Sequence, residues 1–224
     1  MKSILPILLI ICSFYSGFCQ SKSELIIDKP AQKIFSPTEL EGIQSMIKFV
    51  DSCVVKATNQ TDINAAYHAY FERQKKFLEK GEMMPPLIKD TVKFSFLESL
   101  DSNAVESIWH INDYIKIIGT RDTSLTDVHG IKTISINLFG SYMDYLKKIG
   151  ETDERYRSFA EAVEIAGDIS PSTMGWFPRH HNKFDFMLFK DRLFATVFIL
   201  RLGDPLDEKV DRYLESKKAN PGHQ

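Results

Sequence analysis

The stretch FDFMLFKDRLFATVFILRL, residues 184–202, indicates the fold class more directly than any other part of the chain. Its apolar side chains cover almost the whole circumference of a helix, and a helix of that kind usually lies at the centre of a bundle. Asp185, Lys190 and Asp191 interrupt the run, and charged side chains are costly inside a bilayer. The stretch therefore predicts a buried central helix and not a membrane span.

Apolar side chains recur at helical spacing on both sides of this stretch. The clearest start is Ser36-Pro37-Thr38-Glu39, where serine can cap the helix, proline suits the first helical position and glutamate can complete a capping box. The predicted helices cover residues 36–54, 63–81, 103–119, 131–149, 153–166, 184–202 and 205–217, and a shorter apolar segment at 91–100 is also assigned to a helix. About seven helices with short connections predict an all-α fold, either a single-domain bundle or an irregular helical array.

Helix and strand compete in the stretch IKTISINLF, residues 131–139. Its β-branched side chains suit a strand. However, Ile134, Leu138 and Tyr142 continue a helical stripe. A lone strand without a partner would leave its backbone groups unpaired, so we expect a helix here.

The N-terminus has the pattern of a secretory signal peptide. Lys2 gives a positive start, residues 4–14 form an apolar core, and Gly17 and Cys19 supply the small side chains that signal peptidase requires before a cut at Gln20. This core is too short to span a bilayer, which takes about 20 apolar residues. We therefore expect a bacterial-type protein exported to the periplasm or the medium, with no transmembrane helix after cleavage.

The cysteines fit this interpretation. Cys12 and Cys19 lie in the leader, so the mature chain keeps only Cys53 and cannot form an internal disulfide. Lipidation of Cys19 is the disfavoured alternative. A bacterial lipoprotein has a small residue just before the lipidated cysteine, whereas Phe18 stands there in this chain.

The export pattern and the composition predict a simple organisation. We expect a signal peptide at 1–19, a flexible lead-in at 20–35, one helical domain at 36–218 and a disordered tail at 219–224. The formal net charge is −2, and charges of both signs are interspersed along the chain. Because this pattern lacks the basic footprint of nucleic-acid binding, we expect no nucleic-acid partner.

The segment SPSTMGWFPRHHN, residues 170–182, is predicted to be a long loop, and long loops are often binding sites. Its basic and polar side chains can grip an anionic group, and its aromatic rings can stack on a sugar or a ring. The alternative is structural, with the last residue of the segment capping the central helix and the aromatic rings fastening the loop to the core. The candidate ligand-binding residues are Trp176, Phe177, Arg179, His180, His181 and Asn182.

The chain carries no recognisable catalytic or metal-binding motif. It has no Gly-x-Ser-x-Gly elbow, no His-Glu-x-x-His pair and no paired-cysteine motif. His180 and His181 are adjacent in sequence and cannot easily share one metal ion. We expect no metal site and no cofactor, and the sequence identifies no catalytic residue.

Three hypotheses for the function follow. The first is an exported helical protein that binds an unknown protein or small ligand, and an immunity or inhibitor protein that neutralises an exported toxin is one version of it. The second is an envelope hydrolase that uses His180 or His181 as base or metal ligand, supported by Asp185. The third is a structural envelope component with a large exposed apolar face. Export, a large core and the missing catalytic signature favour binding over catalysis.

Overall fold

The computed structural model describes residues 25–120 and 124–219. Within those ranges the chain is mostly helical, with ten α-helices and one small antiparallel sheet of two strands. The prediction of a helical domain is confirmed, whereas that of a purely all-α fold is wrong. The predicted signal peptide at 1–19, and all but the first residue of the predicted tail, lie outside the described residues.

The elements follow one another in a single run of helices that a β-hairpin interrupts. The helices are α1 Lys29–Ile34, α2 Pro37–Thr58, α3 Ile63–Glu79, α4 Asp90–Glu98, α5 Ser102–Glu106, α6 Ser141–Gly150, α7 Glu154–Ala166, α8 Pro171–His180, α9 Phe189–Arg201 and α10 Leu206–Ala219. The hairpin strands are β1 Trp109–Gly119 and β2 Ser124–Ile136. A short 3-10 turn, His181–Lys183, follows α8.

The hairpin corrects two predicted helices. The helix predicted over 103–119 ends as α5 at Glu106 and continues as β1, and most of the 131–139 stretch belongs to β2. The two strands pair through backbone hydrogen bonds, with Ile111 opposite Ile134. A register shift between Asn112 and Tyr114 breaks the two-residue alternation that would have revealed β1 in the sequence.

The predicted capping box at the start of α2 is confirmed. The Glu39 carboxylate accepts a hydrogen bond from the Ser36 amide at 2.6 Å, and the Ser36 hydroxyl accepts one from the Glu39 amide at 3.3 Å. Upstream, the lead-in was expected to be loose but forms α1. There Ala31 and Phe35 are buried, and the Tyr145 hydroxyl donates to Asp28 at 2.6 Å.

Helix α8 replaces the loop predicted at 170–182, so that prediction is wrong. The Ser170 hydroxyl caps the helix by accepting a hydrogen bond from the Thr173 amide at 3.2 Å, and Pro171 occupies the first turn. The central helix also starts later than predicted, at Phe189, and residues 184–188 form a non-helical connection. Its N-cap is Leu188, so Asn182 does not cap it.

Helix α9 forms the centre of the main core, as the sequence predicts. Every residue from 191 to 200 is buried. The ring centre of Phe177 on α8 lies 4.9 Å from those of Phe194 and Phe198 on α9, in the edge-to-face arrangement that aromatic rings favour. None of the described helices combines the length and the apolar composition needed to cross a membrane.

A second, smaller core holds the far half of the hairpin against α10. Its buried members are Ile118, Val128 and Ile131 from the hairpin and Val210 from α10. Tyr213 of α10 packs at the edge of this cluster. This second core fixes the distance between β2 and α10, and so shapes the cleft described below.

Candidate functional site

The predicted ligand-binding aromatic residues lie on α8. Phe177 is 1% exposed and packs inside the core, where no ligand can stack on it without displacing core side chains. Trp176 is half-buried, and its ring stacks on that of His180 with the centres 4.7 Å apart. Arg179 is exposed, and its guanidinium donates to the carbonyl of Gly175 on the same helix at 2.9 Å.

The two neighbouring histidines point to different parts of the molecule. His180 Nδ1 lies 2.8 Å from the carbonyl oxygen of Trp176, to which it donates. His181 is buried and turns towards α3, while Asn182 is exposed in the 3-10 turn. The structure therefore does not bring the predicted polar residues together around one open site.

His181 belongs to a chain of polar groups that the sequence did not reveal. Its Nδ1 lies 2.9 Å from Nδ1 of His68, and its Nε2 lies 3.2 Å from a carboxylate oxygen of Glu72. One of the two facing nitrogens must donate while the other accepts, so the pair shares a single proton. Burial and the neighbouring His181 hold the pKa of His68 below its ordinary value. The signal in the sequence was the spacing of four between His68 and Glu72, which places both on one face of α3.

The buried carboxylate of Asp191 binds the connection formed by residues 184–188. It is 1% exposed, and its carboxylate accepts hydrogen bonds from the Asp185 amide at 2.6 Å and from the Tyr156 hydroxyl. Burial raises the pKa of Asp191 above its ordinary value, although these hydrogen bonds lower it in part. The carboxylate thus accepts a hydrogen bond from a backbone amide that lies outside the helices.

Arg192 supports the same connection from the next position of α9. Its Nε donates to the carbonyl of Phe186 at 2.7 Å, and its Nη1 lies 3.4 Å from the Asp51 carboxylate, which also accepts from the Tyr67 hydroxyl at 2.8 Å. Burial raises the pKa of Asp51, although Arg192 and the hydroxyl oppose this. The charged groups at the start of α9 bind backbone and side-chain groups of the protein and so stabilise this part of the fold.

The hydrolase hypothesis also names Asp185, which lies in the connection after the two histidines. The Asp185 carboxylate accepts a hydrogen bond from the amide of Met187 at 3.0 Å. It also lies close enough to His68, the partner of His181, to oppose the lowering of the His68 pKa. Across residues 25–120 and 124–219, no three His, Cys, Asp or Glu side chains are grouped so that they could hold a metal ion.

A cleft of ligand size opens elsewhere, between α4, β2 and α10. Its volume is about 620 Å³, and the apolar part of its wall includes Phe94, Ile131 and Tyr213. We call it the basic cleft because four basic side chains line it against two acidic ones. The basic residues are Lys132, Lys209, Arg212 and Lys217, and the acidic ones are Asp90 and Glu98.

The floor of the basic cleft is a fixed ion network. Asp90 lies 2.7 Å from the ammonium of the buried Lys93 and 2.8 Å from that of Lys209. Lys93 also donates to the carbonyl of Leu202 at 2.9 Å. Burial alone would raise the pKa of Asp90, but the hydrogen bonds from Lys209 and Lys93 outweigh it, and the pKa lies below its ordinary value. One carboxylate thus lies between two ammonium groups, and the network stabilises the wall with a net positive charge.

The rim of the basic cleft carries three further cations, Lys132, Arg212 and Lys217. Arg212 lies 2.8 Å from the buried Asp204 carboxylate, and Lys132 pairs with Glu98. Lys217 sits with its ammonium 5.5 Å from the ring centre of Tyr213 and pairs with no carboxylate of the described chain. Lys217 is therefore the cation that a ligand can engage without breaking an ion pair.

Sequence reasoning missed this cleft, although part of its signal was present. Lys209, Tyr213 and Lys217 recur at spacings of four, which places them along one side of α10, and Arg212 lies next to Tyr213. The opposite wall comes from β2, which was predicted to be a helix. A site with one wall wrongly assigned could not be assembled from the pattern alone.

The chain matches no protein-family model, and no curated protein or solved structure resembles it. The basic cleft is put forward on its own geometry and charges.

Proposed function

We propose that this chain is an exported protein that works by binding, and that its basic cleft takes a small ligand with a carboxylate and an apolar group. The single observation that carries the proposal is Lys217, a cation on the wall of an open cleft with no carboxylate partner in the described chain. Pockets that bind small molecules usually measure about 300–1,000 Å³, a range that includes this cleft.

The chemistry of the ligand follows from the walls. Phe94 and Tyr213 offer apolar contact, while the ammonium of Lys217 attracts negative charge. A cleft with an excess of one sign of charge concentrates ligands of the opposite sign. An apolar group lies against the rings while the carboxylate reaches the ammonium of Lys217.

The export part of the proposal rests on the N-terminal pattern at 1–19, which supports a periplasmic or secreted location. A small ligand free in that compartment is one occupant of the basic cleft. If the chain is instead an inhibitor of an exported toxin, an acidic side chain of the toxin takes the same position. Both versions make Lys217 the group that meets the carboxylate.

The test uses the mature chain from Gln20 and four probes: phenylacetate, 3-phenylpropionate and the uncharged amides of both. A ligand that binds the folded state raises the melting temperature. We expect the two acids at millimolar concentration to raise it and the amides to leave it unchanged. The matched variants are Lys217→Glu and Lys218→Glu, because both lysines are exposed neighbours on α10 and only Lys217 lines the cleft.

The acids should no longer stabilise Lys217→Glu and should still stabilise Lys218→Glu. Equal responses to the acids and their amides would contradict the proposal. So would an equal loss of the response in both variants, because that would assign it to general charge and not to the cleft.

A further inference from the structure

A second open cleft, of about 530 Å³, shares Glu98 with the basic cleft. Its walls come from the end of α4, from α5 and from the start of the hairpin, with Leu97, Leu100 and Ile111 as apolar contacts. We call it the acidic cleft because Glu98 and Glu106 line it and no lysine or arginine does. The two clefts therefore offer opposite charges along the same helix, α4.

A buried donor in the acidic cleft lacks an acceptor. Trp109 lines the cleft, is 1% exposed, and its indole N–H has no hydrogen-bond partner within the described chain. Buried donors of this kind are rare in folded proteins and call for an explanation. The indole nitrogen is closed to solvent in this structure, so a carbonyl group of a ligand supplies the missing acceptor only by displacing part of the cleft wall.

The distance along α4 sets the size of a ligand that reaches both clefts. Asp90, the first residue of α4, lines the basic cleft, and Glu98, its last residue, lines the acidic cleft as well. At the helical rise, the eight steps between them cover about 12 Å. An extended peptide covers about 3.3 Å per residue, so about four residues span α4 and a pentapeptide reaches past its end.

We propose that the two clefts together bind one short peptide with free ends. Its C-terminal carboxylate lies at Lys217 in the basic cleft, and its N-terminal ammonium lies at Glu98 and Glu106 in the acidic cleft. One of its carbonyls accepts the indole N–H of Trp109. This inference rests on the proposed function, because the carboxylate uses the basic cleft.

The Lys132–Glu98 ion pair lies where the clefts meet. The two side chains are 35% and 50% exposed, so the pair is accessible to solvent and to a ligand. An ion pair in such a setting is weak and can exchange partners at little cost. Glu98 can therefore turn to the ammonium of the peptide while Lys132 turns to one of its carbonyls.

The test incubates the mature chain with three pools of random pentapeptides, one with free ends, one N-acetylated and one C-amidated. Ultrafiltration removes unbound peptide, and mass spectrometry counts what is retained. We expect the free-ended pool to be retained about tenfold more than either capped pool, since each cap removes one charge-assisted contact. Glu106→Gln should lower retention of the free-ended pool by a similar factor. Asp113→Asn, an exposed carboxylate of β1 outside both clefts, should leave retention unchanged.

Fluorescence gives a second readout that does not depend on retention. The chain has two tryptophans, so Trp176→Phe leaves Trp109 as the single reporter. The free-ended pool should shift the emission of Trp109 in that variant, and the N-acetylated pool should not.

The outcomes separate the two proposals. If the N-acetylated pool is retained as well as the free-ended pool and only C-amidation abolishes retention, the peptide inference is overturned while the basic cleft stands as a carboxylate site. If neither cap matters, or if no pool is retained and the aromatic acids also fail to bind, both proposals fall. If the aromatic acids bind and no pentapeptide pool is retained, the peptide inference alone is overturned.

Discussion

The start of α9 and the basic cleft both concentrate charged side chains, and they use them in opposite ways. At α9, Asp191 and Arg192 are almost fully buried and bind backbone groups of the 184–188 connection. At the basic cleft, the charged groups surround an open volume, and Lys217 has no carboxylate partner there. The first region holds the fold, and we propose that the second receives a ligand.

This contrast shows that residues which stand out in a sequence can serve the fold. The adjacent histidines His180 and His181 attract attention in the sequence, but the structure gives them the Trp176 carbonyl, His68 and Glu72 as partners. Lys217 is one of many lysines in the sequence. What distinguishes it is that it lines an open cleft and pairs with no carboxylate among the described residues.

The largest expected effect comes from breaking the buried network at α9. Arg192→Leu leaves the Asp51 carboxylate without its cation and the Phe186 carbonyl without its donor. Removing one partner of a buried pair costs about 3–5 kcal/mol. The free energy of unfolding, measured in urea, should fall by that amount. The exposed Arg157→Leu, which removes a surface pair with Glu154, should cost at most about 1 kcal/mol. Similar losses in the two variants would show that the α9 network does not hold the fold.

The two hydrophobic cores should respond differently to the same truncation. Ile199→Ala in the main core should lower the free energy of unfolding by about 2–5 kcal/mol. Ile118→Ala should lie at the low end of that range, because the second core is small and its surroundings can collapse more easily. Hydrogen exchange should rise throughout the chain for Ile199→Ala and only in the hairpin and α10 for Ile118→Ala. Global exchange in the second variant would contradict a separate second core.

The histidine pair predicts a smaller effect that depends on pH. The pKa of His68 lies below its ordinary value of 6.5 in the folded chain, so the unfolded chain binds the proton more readily near that pH. The free energy of unfolding should therefore decrease as the pH falls from about 7.5 through 6.5. His68→Gln should flatten this decrease, and His110→Gln, an exposed histidine of β1, should not. Equal slopes in the two variants would remove His68 from the explanation.

The smallest effect on stability is expected at the basic cleft itself. Lys217→Glu and Lys218→Glu both alter exposed side chains, so each should change the free energy of unfolding by less than about 0.5 kcal/mol. A larger loss for Lys217→Glu alone would mean that Lys217 supports the fold, as Arg192 does. The comparison between the two regions would then fail.

Some of this architecture could be predicted from the sequence, and the reasons are local. Ser36, Pro37 and Glu39 specify the start of α2 within four residues, and the largely apolar run at 193–200 specifies a buried helix. Ser170 and Pro171 carry the same kind of signal for α8, but the polar and aromatic residues after them favoured a loop. The start of a helix can be predicted in this way because its capping residues directly precede it in the sequence.

The rest depends on contacts between residues that are distant in sequence. Neither strand of the hairpin is convincing without the other, because β-branched residues suit a strand only where a partner accepts the backbone hydrogen bonds. The basic cleft needs three segments, 90–98, 129–132 and 209–217, and no sequence pattern places them together. The contact between His68 and His181 likewise joins residues more than a hundred positions apart.

The most direct test of the account is a titration of the labelled mature chain with 3-phenylpropionate, followed by the amide shifts in nuclear magnetic resonance spectra. We predict that the shifts concentrate in α4, β2 and α10, at residues 90–98, 129–132 and 209–217, and that Lys217→Glu removes them. Shifts concentrated at residues 176–192 instead, and unaffected by Lys217→Glu, would contradict the account. They would place the binding site near His180 and His181.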